Sequence, residues 1–220
     1  MEVVDEICNL LQVHVNRDKV VCLACYALKL IGSSRESKPL LTASGKLAAA
    51  RSATRLFDDA SAFRNLVNYG LGRHEGPLWG AMGVCNGLSI LAYLQFEKLM
   101  FLIDSGILPV SKDVDFQVRT GHKVAWSLLA FFGFIRSIRA LHLSAQVVRR
   151  PNHSRCAPAR VTQAALTSTK LLLDVVHAVS WLPRGWLWGS CLSATQASSF
   201  ATASAVLALV MHYHGKRLAP

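Results

Sequence analysis

Cys22-Leu-Ala-Cys25 has the spacing at which two thiolates grip one metal ion or close a redox disulfide. The surrounding residues read as an apolar helix rather than a metal knuckle, and His153 and Cys156 lie far away in a connector, so a structural role is expected. Asp174 and His177 are acid and base types three residues apart. No nucleophile or second carboxylate accompanies them, and a local hydrogen bond is their expected role. Gly45-Lys46 has the look of a phosphate-binding loop, but Leu40 stands where its first glycine belongs and Leu47 replaces the hydroxyl that would hold magnesium. No nucleophile elbow, HExxH or EF-hand loop occurs, and the eight histidines are scattered. These residues recommend no enzyme, no cofactor and no metal site.

Composition sets the remaining classes. The 220 residues include 24 Lys+Arg against 13 Asp+Glu, are 52% hydrophobic and only 17% charged, with a mean hydropathy of +0.32. A disordered chain would be poorer in apolar residues, and a disulfide scaffold denser in cysteine. The six cysteines, Cys8, Cys22, Cys25, Cys85, Cys156 and Cys191, are irregularly spaced, and Glu2, Asp5 and Glu6 stand where a secretory signal would be basic. Reduced thiols in a cytosol-like compartment are expected. The last residues of the sequence are Arg217-Leu-Ala-Pro220, so import or retention by a C-terminal tag is not expected.

Charge is unevenly placed. Residues 1–115 hold 12 basic and 12 acidic side chains, whereas residues 116–220 hold 12 basic ones and a single acid, Asp174. The basic half should meet an anionic partner. Its Arg and Lys punctuate long uncharged runs instead of clustering around stacking aromatics, which points to a lipid bilayer and not to nucleic acid.

Strand signals are scarce and helical periodicity recurs, so the fold is expected to be all-α, a membrane-associated helical bundle with one or two transmembrane helices. A helix is expected over Val3 to Val15 and another from Asp18 to Ile31, ended by Gly32, with Gly32 to Thr42 as a loop. An amphipathic helix follows over about Gly45 to Asn68. At 100° per residue, Ala49, Ala53, Leu56, Phe57, Ala60, Phe63 and Val67 share one arc, opposite Arg51, Arg55, Asp58, Ser61 and Asn65. Leu56, Phe57, Phe63 and Val67 would insert in the membrane, and Arg51, Arg55 and Arg64 would meet headgroups.

Gly76 to Phe96 is uncharged over 21 residues, about 31 Å as a helix. It reads either as a glycine-lined membrane helix or as a bent connector before a helix from Leu88 to Ile107. Val124 to Ile135 is a shorter apolar run bounded by Arg136 and Arg139. The basic connector Arg149 to Arg160 leads to a helix from Val161 to Ser180. Leu187 to Met211, 25 uncharged residues, is the strongest span. Ser190, Ala194, Ser198 and Thr202 form one small-residue ladder on it for helix packing, and Ala197, Ala201 and Ala205 another. Trp186, Trp188, Tyr213 and Lys216-Arg217 are its interfacial anchors. The chain thus divides into an N-terminal helical region (1–72), membrane-associated helices (73–145), the basic connector (146–160) and C-terminal helices (161–220).

Particular runs carry a resemblance. Arg55-Leu-Phe-Asp-Asp59, Tyr69-Gly-Leu-Gly72 and above all Trp181-Leu182-Pro183-Arg184-Gly185, followed by Leu187-Trp188, are joined by Asn16-Arg-Asp-Lys19 and by Trp126-Ser-Leu-Leu129 leading to Arg136-Ser-Ile-Arg139. Together they resemble the peroxin-eleven family of peroxisomal membrane proteins, most closely its gamma type. The resemblance implies a multi-pass protein of the peroxisome membrane with cytosolic termini. It also implies self-association, cooperation with a dynamin-related GTPase and its membrane receptors, and a role in peroxisome elongation, proliferation and fission. By position, Gly45 to Asn68 would be the helix that bends the membrane. Two spans with cytosolic termini would put the arginine-rich connector in the lumen, against the usual bias of basic residues. A metabolite channel, suggested by Asn86, Ser193, Gln196 and Ser199 within apolar helices, and a soluble helical adaptor are the competing readings.

Overall fold

The computed structural model describes residue 8, residues 10–150, residues 154–216 and residue 218. Among these, regular structure is helical throughout: α1 (His14–Ser34), α2 (Lys38–Thr54), α3 (Asp59–Tyr69), a 3-10 turn (Arg73–Glu75), α4 (Pro77–Asp104), α5 (Lys112–Val148), α6 (Ala157–Ser180) and α7 (Ala194–Lys216). The all-α class expected from periodicity is observed. Most of the helix expected over Val3 to Val15 lies outside the described residues; residues 10–12 are helical.

Gly32 does not end α1. It admits α2 instead, because a Cβ there would sit 3.1 Å from the backbone nitrogen and side chain of Leu41. The expected loop shrinks to residues 35–37, with Glu36 at φ 52°. Pro39 opens α2, where the first helical positions need no N–H. Cys25 and Ser44 join the two helices: the Ser44 hydroxyl donates to the Cys25 carbonyl (2.9 Å), and the Cys25 thiol to that of Ser44 (3.4 Å). The CxxC therefore lies on a helix, with one thiol used in packing.

Farther along, Arg51 donates two bonds to Asp18, at 2.8 and 3.0 Å. Burial alone would raise the Asp18 carboxyl, but the Arg51 bonds and charge, with Arg55 and His14 near, outweigh it and hold the group below the usual carboxylate range. A depressed carboxyl contributes stability that is fully present above its unfolded value, about pH 4, and is lost as pH falls through the folded one. Stability measured against pH should therefore drop on the acid side, and Asp18→Asn should flatten that drop while lowering neutral-pH stability by about 1–3 kcal/mol. An unchanged acid limb in Asp18→Asn would show that the pair does not form.

The helix expected to run unbroken from Gly45 to Asn68 is two helices. α2 stops at Thr54, residues 55–58 turn, and α3 begins at Asp59. The cause is a change of partner, since α2 packs on α1 and α3 on α4. At the break Arg55 donates to Glu97 (2.6 Å) and Lys98 to Asp59 (2.5 Å), fixing the turn to two consecutive residues of α4.

α4 is one helix from Pro77, so the bent-connector alternative is set aside. Its glycines form a shallow face for the preceding elements. A Cβ at Gly83 would overlap the Tyr69 ring, and one at Gly87 would lie 2.6 Å from Leu66. α5 extends the short Val124 to Ile135 run to 37 residues, capped by Ser111, whose hydroxyl accepts from the Val114 N–H (3.4 Å). α6 packs between α5 and α7, α7 against α1, and α2 reaches α4 to complete the bundle. A core of Ala130, Val175, Ala178, Val179 and Leu182 is sheltered by Val124, Trp126 and Phe134.

The strongest expected span starts later than its hydropathy suggests. Ser193 and Gln196 form a reciprocal capping box: the Gln196 N–H donates to Ser193 Oγ (3.2 Å) and the Ser193 N–H to Gln196 Oε1 (2.9 Å). This fixes the start of α7 at Ala194. Residues 187–193 instead belong to a loop, with Leu187 at φ 52° and Ser190 at φ 56°.

Candidate membrane-facing surface

α5 and α7 are sorted by size in the opposite sense to helices of a water-soluble bundle. Small and hydroxylated residues fill the helix contacts: Ala125, Ser127, Ala130 and Ser137 on α5, and Ala197, Ser198, Ala201, Ser204 and Ala205 on α7. Large apolar residues point outward, including Leu88 on α4, Leu128, Phe131, Ile138, Leu143 and Val147 on α5, and Val206 and Val210 on α7. Each would gain about 1.5–3 kcal/mol on leaving water. Small interior residues let backbones approach where no hydrophobic force drives helices together, as in lipid. α4, α5 and α7 are each long and apolar enough to cross a membrane. α7, at 23 residues, spans about 34 Å.

The expected inserting residues stand at one edge of this surface. Phe57, in the turn between α2 and α3, is 84% exposed, and Phe63 and Val67 on α3 are each 60% exposed. Leu56 is half-buried. The four no longer share one helix; the Arg55–Glu97 and Lys98–Asp59 pairs, on either side of Phe57, hold to α4 the turn that carries it.

Of the three arginines expected at headgroups, only Arg64 lies on an exposed position. Arg51 is bound to Asp18 and Arg55 to Glu97, and the Arg55 guanidinium also lies 5.8 Å from the Tyr93 ring. Both serve contacts between helices.

The small-residue ladder is likewise divided. Ser198 is wholly buried, Thr202 half-buried and Ala194 exposed, whereas Ser190 is off the helix. The Ser190 N–H donates to the Ser180 carbonyl (2.9 Å) and its hydroxyl to that of Leu182 (3.0 Å). Those bonds fold Trp181-Leu182-Pro183-Arg184-Gly185 back on the end of α6. Leu182 is buried, Pro183 half-buried, and Trp181, Arg184 and Gly185 are exposed, the last at φ 96°. Lys29 lies 4.1 Å over the Trp181 ring, and the Trp188 indole donates to the Val176 carbonyl (3.1 Å).

Asp174 and His177 do not pair with each other. Asp174 accepts from Lys170 (2.5 Å) and from the Ser204 hydroxyl, while His177 is enclosed by the rings of Tyr26, Trp126 and Trp181 at 5.3, 5.2 and 6.1 Å. The polar residues that suggested a channel are mostly used within the chain: Ser193 and Gln196 in the capping box, and Ser199 in a bond to the Thr195 carbonyl. Among the described residues no three of His, Cys, Asp and Glu gather as a metal site.

One feature was invisible in the sequence. Glu75, in the 3-10 turn ahead of α4, accepts from Arg136 (3.0 Å) and Arg139 (2.7 Å) of α5, and Arg139 also donates to the Glu75 carbonyl (3.1 Å). The guanidiniums lie 5.0 Å from the Tyr69 ring and 4.6 Å from the Trp79 ring. The two arginines that follow the apolar run of α5 thereby share one counter-charge, which leaves the cluster with a net charge of about +1. Their three-residue spacing places them on one face, but nothing in the sequence points to an acid some sixty residues earlier.

Fold and surface define a helical membrane protein with an exposed apolar edge beside its lipid-facing bundle. The family model for Peroxisomal biogenesis factor 11 (PEX11) matches residues 4–212, and the chain belongs to that family. It is similar to Peroxisomal membrane protein 11C of Mus musculus, with 25% identity covering 94% of this chain and 93% of the relative. It is also similar to Peroxisomal membrane protein 11C of Homo sapiens, with 26% identity covering 90% of each. No solved structure matches.

Proposed function

We propose that this protein of the peroxisomal membrane elongates and proliferates peroxisomes, preparing them for fission, by a mechanical and non-catalytic action. The observation that carries the reading is the exposed edge of Phe57, Phe63 and Val67, held on a bundle whose outward face suits lipid. α3 runs beside α4 from Lys98 back to Gly83, so these side chains enter the leaflet at the C-terminal end of α4 and expand it relative to the other, and self-association concentrates many such wedges to impose curvature. Leu56 supports the edge from beneath, and Arg64 meets the headgroups. Recruitment of a dynamin-related GTPase and its membrane receptors completes division.

The test uses the full chain in vesicles and in cells. Phe57→Glu with Phe63→Glu should leave thermal stability nearly unchanged, because both rings are exposed. Each removes about 1.5–3 kcal/mol of insertion energy, so vesicle deformation and organelle elongation should fall by an order of magnitude or more. Undiminished elongation by a stably folded, correctly located double variant would refute the wedge.

A further inference from the structure

We infer that α6 crosses the membrane between α5 and α7, so that the basic connector joining α5 to α6 emerges on the same face as the C-terminal end of α7. There it meets the anionic headgroups of the cytosolic leaflet. The inference rests on the reading that this bundle is embedded in the membrane.

The three helices run alternately up and down, and contacts at both ends fix this. At one end Ser137 and Ala140 of α5 line a cavity of about 210 Å³ with Arg160, Gln163 and Thr167 of α6. There Gln163 also reaches α7, donating to the Met211 carbonyl (3.4 Å) and pairing with His214 Nδ1 (2.8 Å). At the other end His177 of α6 meets Trp126 of α5 at 5.2 Å, and the Ser190 N–H, just ahead of α7, donates to the Ser180 carbonyl (2.9 Å). α6 therefore lies beside both neighbours from Arg160 to Ser180, about 30 Å of helix, which is the thickness of a hydrocarbon core. If α5 and α7 cross, the helix wedged between them crosses too.

Hydropathy hides α6 because it carries Lys170 and Asp174. The structure removes that objection: the two form a 2.5 Å pair, and the Ser204 hydroxyl of α7 donates to the other Asp174 oxygen. Charges inside a membrane are tolerated when they pair with each other and face a neighbouring helix.

Charge then orients the bundle. At the connector end Arg149, Arg155 and Arg160 are exposed, and Glu75, the acid at that end, is held by Arg136 and Arg139. At the opposite end Asp104, Asp113, Asp115 and Glu36 offset most of Lys112, Arg119, Arg184, Lys29, Arg35 and Lys38, the last three brought there by the end of α1 where Lys29 covers Trp181 and Ser33 meets Thr195, so that end carries the smaller basic excess. The strongly basic face belongs on the cytosolic side, where anionic headgroups attract it. The two-span arrangement, which sends these arginines into the lumen, is replaced by one in which connector and C-terminal end share a side.

Native cysteines allow a direct test on the full chain in sealed peroxisomes. Cys8, Cys85, Cys156 and Cys191 are the exposed thiols. Replacing all four by Ser gives a background onto which Cys156, Cys191 or Tyr213→Cys is restored singly. A membrane-impermeant maleimide should label positions 156 and 213 fully in sealed organelles and position 191 only after permeabilisation, with all three labelling in detergent. Labelling of 156 and 213 from opposite sides, with the protein resisting alkaline carbonate, overturns the α6 crossing while leaving membrane residence intact. Labelling of all three in sealed organelles, together with carbonate extraction, overturns membrane residence itself. Label at 191 alone overturns the cytosolic assignment. Arg149→Glu, Arg155→Glu and Arg160→Glu combined should turn complete labelling at 156 into a divided population; unchanged labelling would remove the headgroup contact.

Discussion

Gly80→Ala should lower stability by about 3 kcal/mol, the upper end of what overpacking costs, although it adds a single methyl group. The new Cβ would lie 2.6 Å from the Leu71 carbonyl oxygen and 2.8 Å from that of Gly72. Backbone atoms have no rotamer into which to retreat. Gly72 is itself left-handed at φ 59°, and a Cβ on it would come within 2.7 Å of Gly80 Cα, so the two glycines define one backbone crossing. That crossing seats the end of α3 on α4, and opening it displaces Phe63 and Val67. Membrane remodelling should fail along with stability. Gly45→Ala is the control: nothing lies within 4 Å of its Cβ, and inside α2 the change should stabilise by about 0.5–1 kcal/mol. Thermal unfolding of both variants in the same lipid or detergent decides the matter. If Gly80→Ala is as harmless as Gly45→Ala, α3 and α4 do not meet as described.

The contrast between these glycines shows what a sequence can convey. Helical periodicity, the lack of strand signals and the small-residue spacing all act within a few residues; the first two foretold the all-α class, and Ala197, Ser198 and Ala201, expected at helix contacts from the third, are buried on α7. The Ser193-x-x-Gln196 box is also local, yet it lies within a longer uncharged run, and hydropathy averaged over that run set the span at Leu187. By contrast, the break between α2 and α3 depends on Glu97 and Lys98, some forty residues away. Projected on one helical wheel, Arg51 and Arg55 look like a headgroup face. Their partners Asp18 and Glu97 sit on other helices, so their actual role follows only from tertiary contacts. Phe57 and Phe63 are both exposed, one on the turn and one on α3, and what holds that turn, ion pairs to α4, is absent from the wheel.

Glu75→Gln should be the most damaging loss of a single charge, at about 2–3 kcal/mol. Breaking a fully buried pair costs about 3–5 kcal/mol; here the side chains of Glu75, Arg136 and Arg139 keep 22%, 29% and 22% exposure, which reduces the figure. Two guanidiniums would lose their counter-charge at the edge of the apolar run of α5, and the only acid in residues 116–220, Asp174, is already bound to Lys170 and Ser204. Arg139→Gln alone should cost less, since Arg136 keeps Glu75, although the stacking of Arg139 on Trp79 is also lost. The double variant should be milder than the sum of the singles by about 1–2 kcal/mol, the coupling expected of residues in direct contact. Strict additivity in that cycle would mean that Glu75 and Arg139 do not interact, and that the junction between the 3-10 turn and α5 is held by apolar packing alone. Coupling as expected would establish that α5 can keep Arg136 and Arg139 next to lipid because the chain supplies their acid from the start of α4.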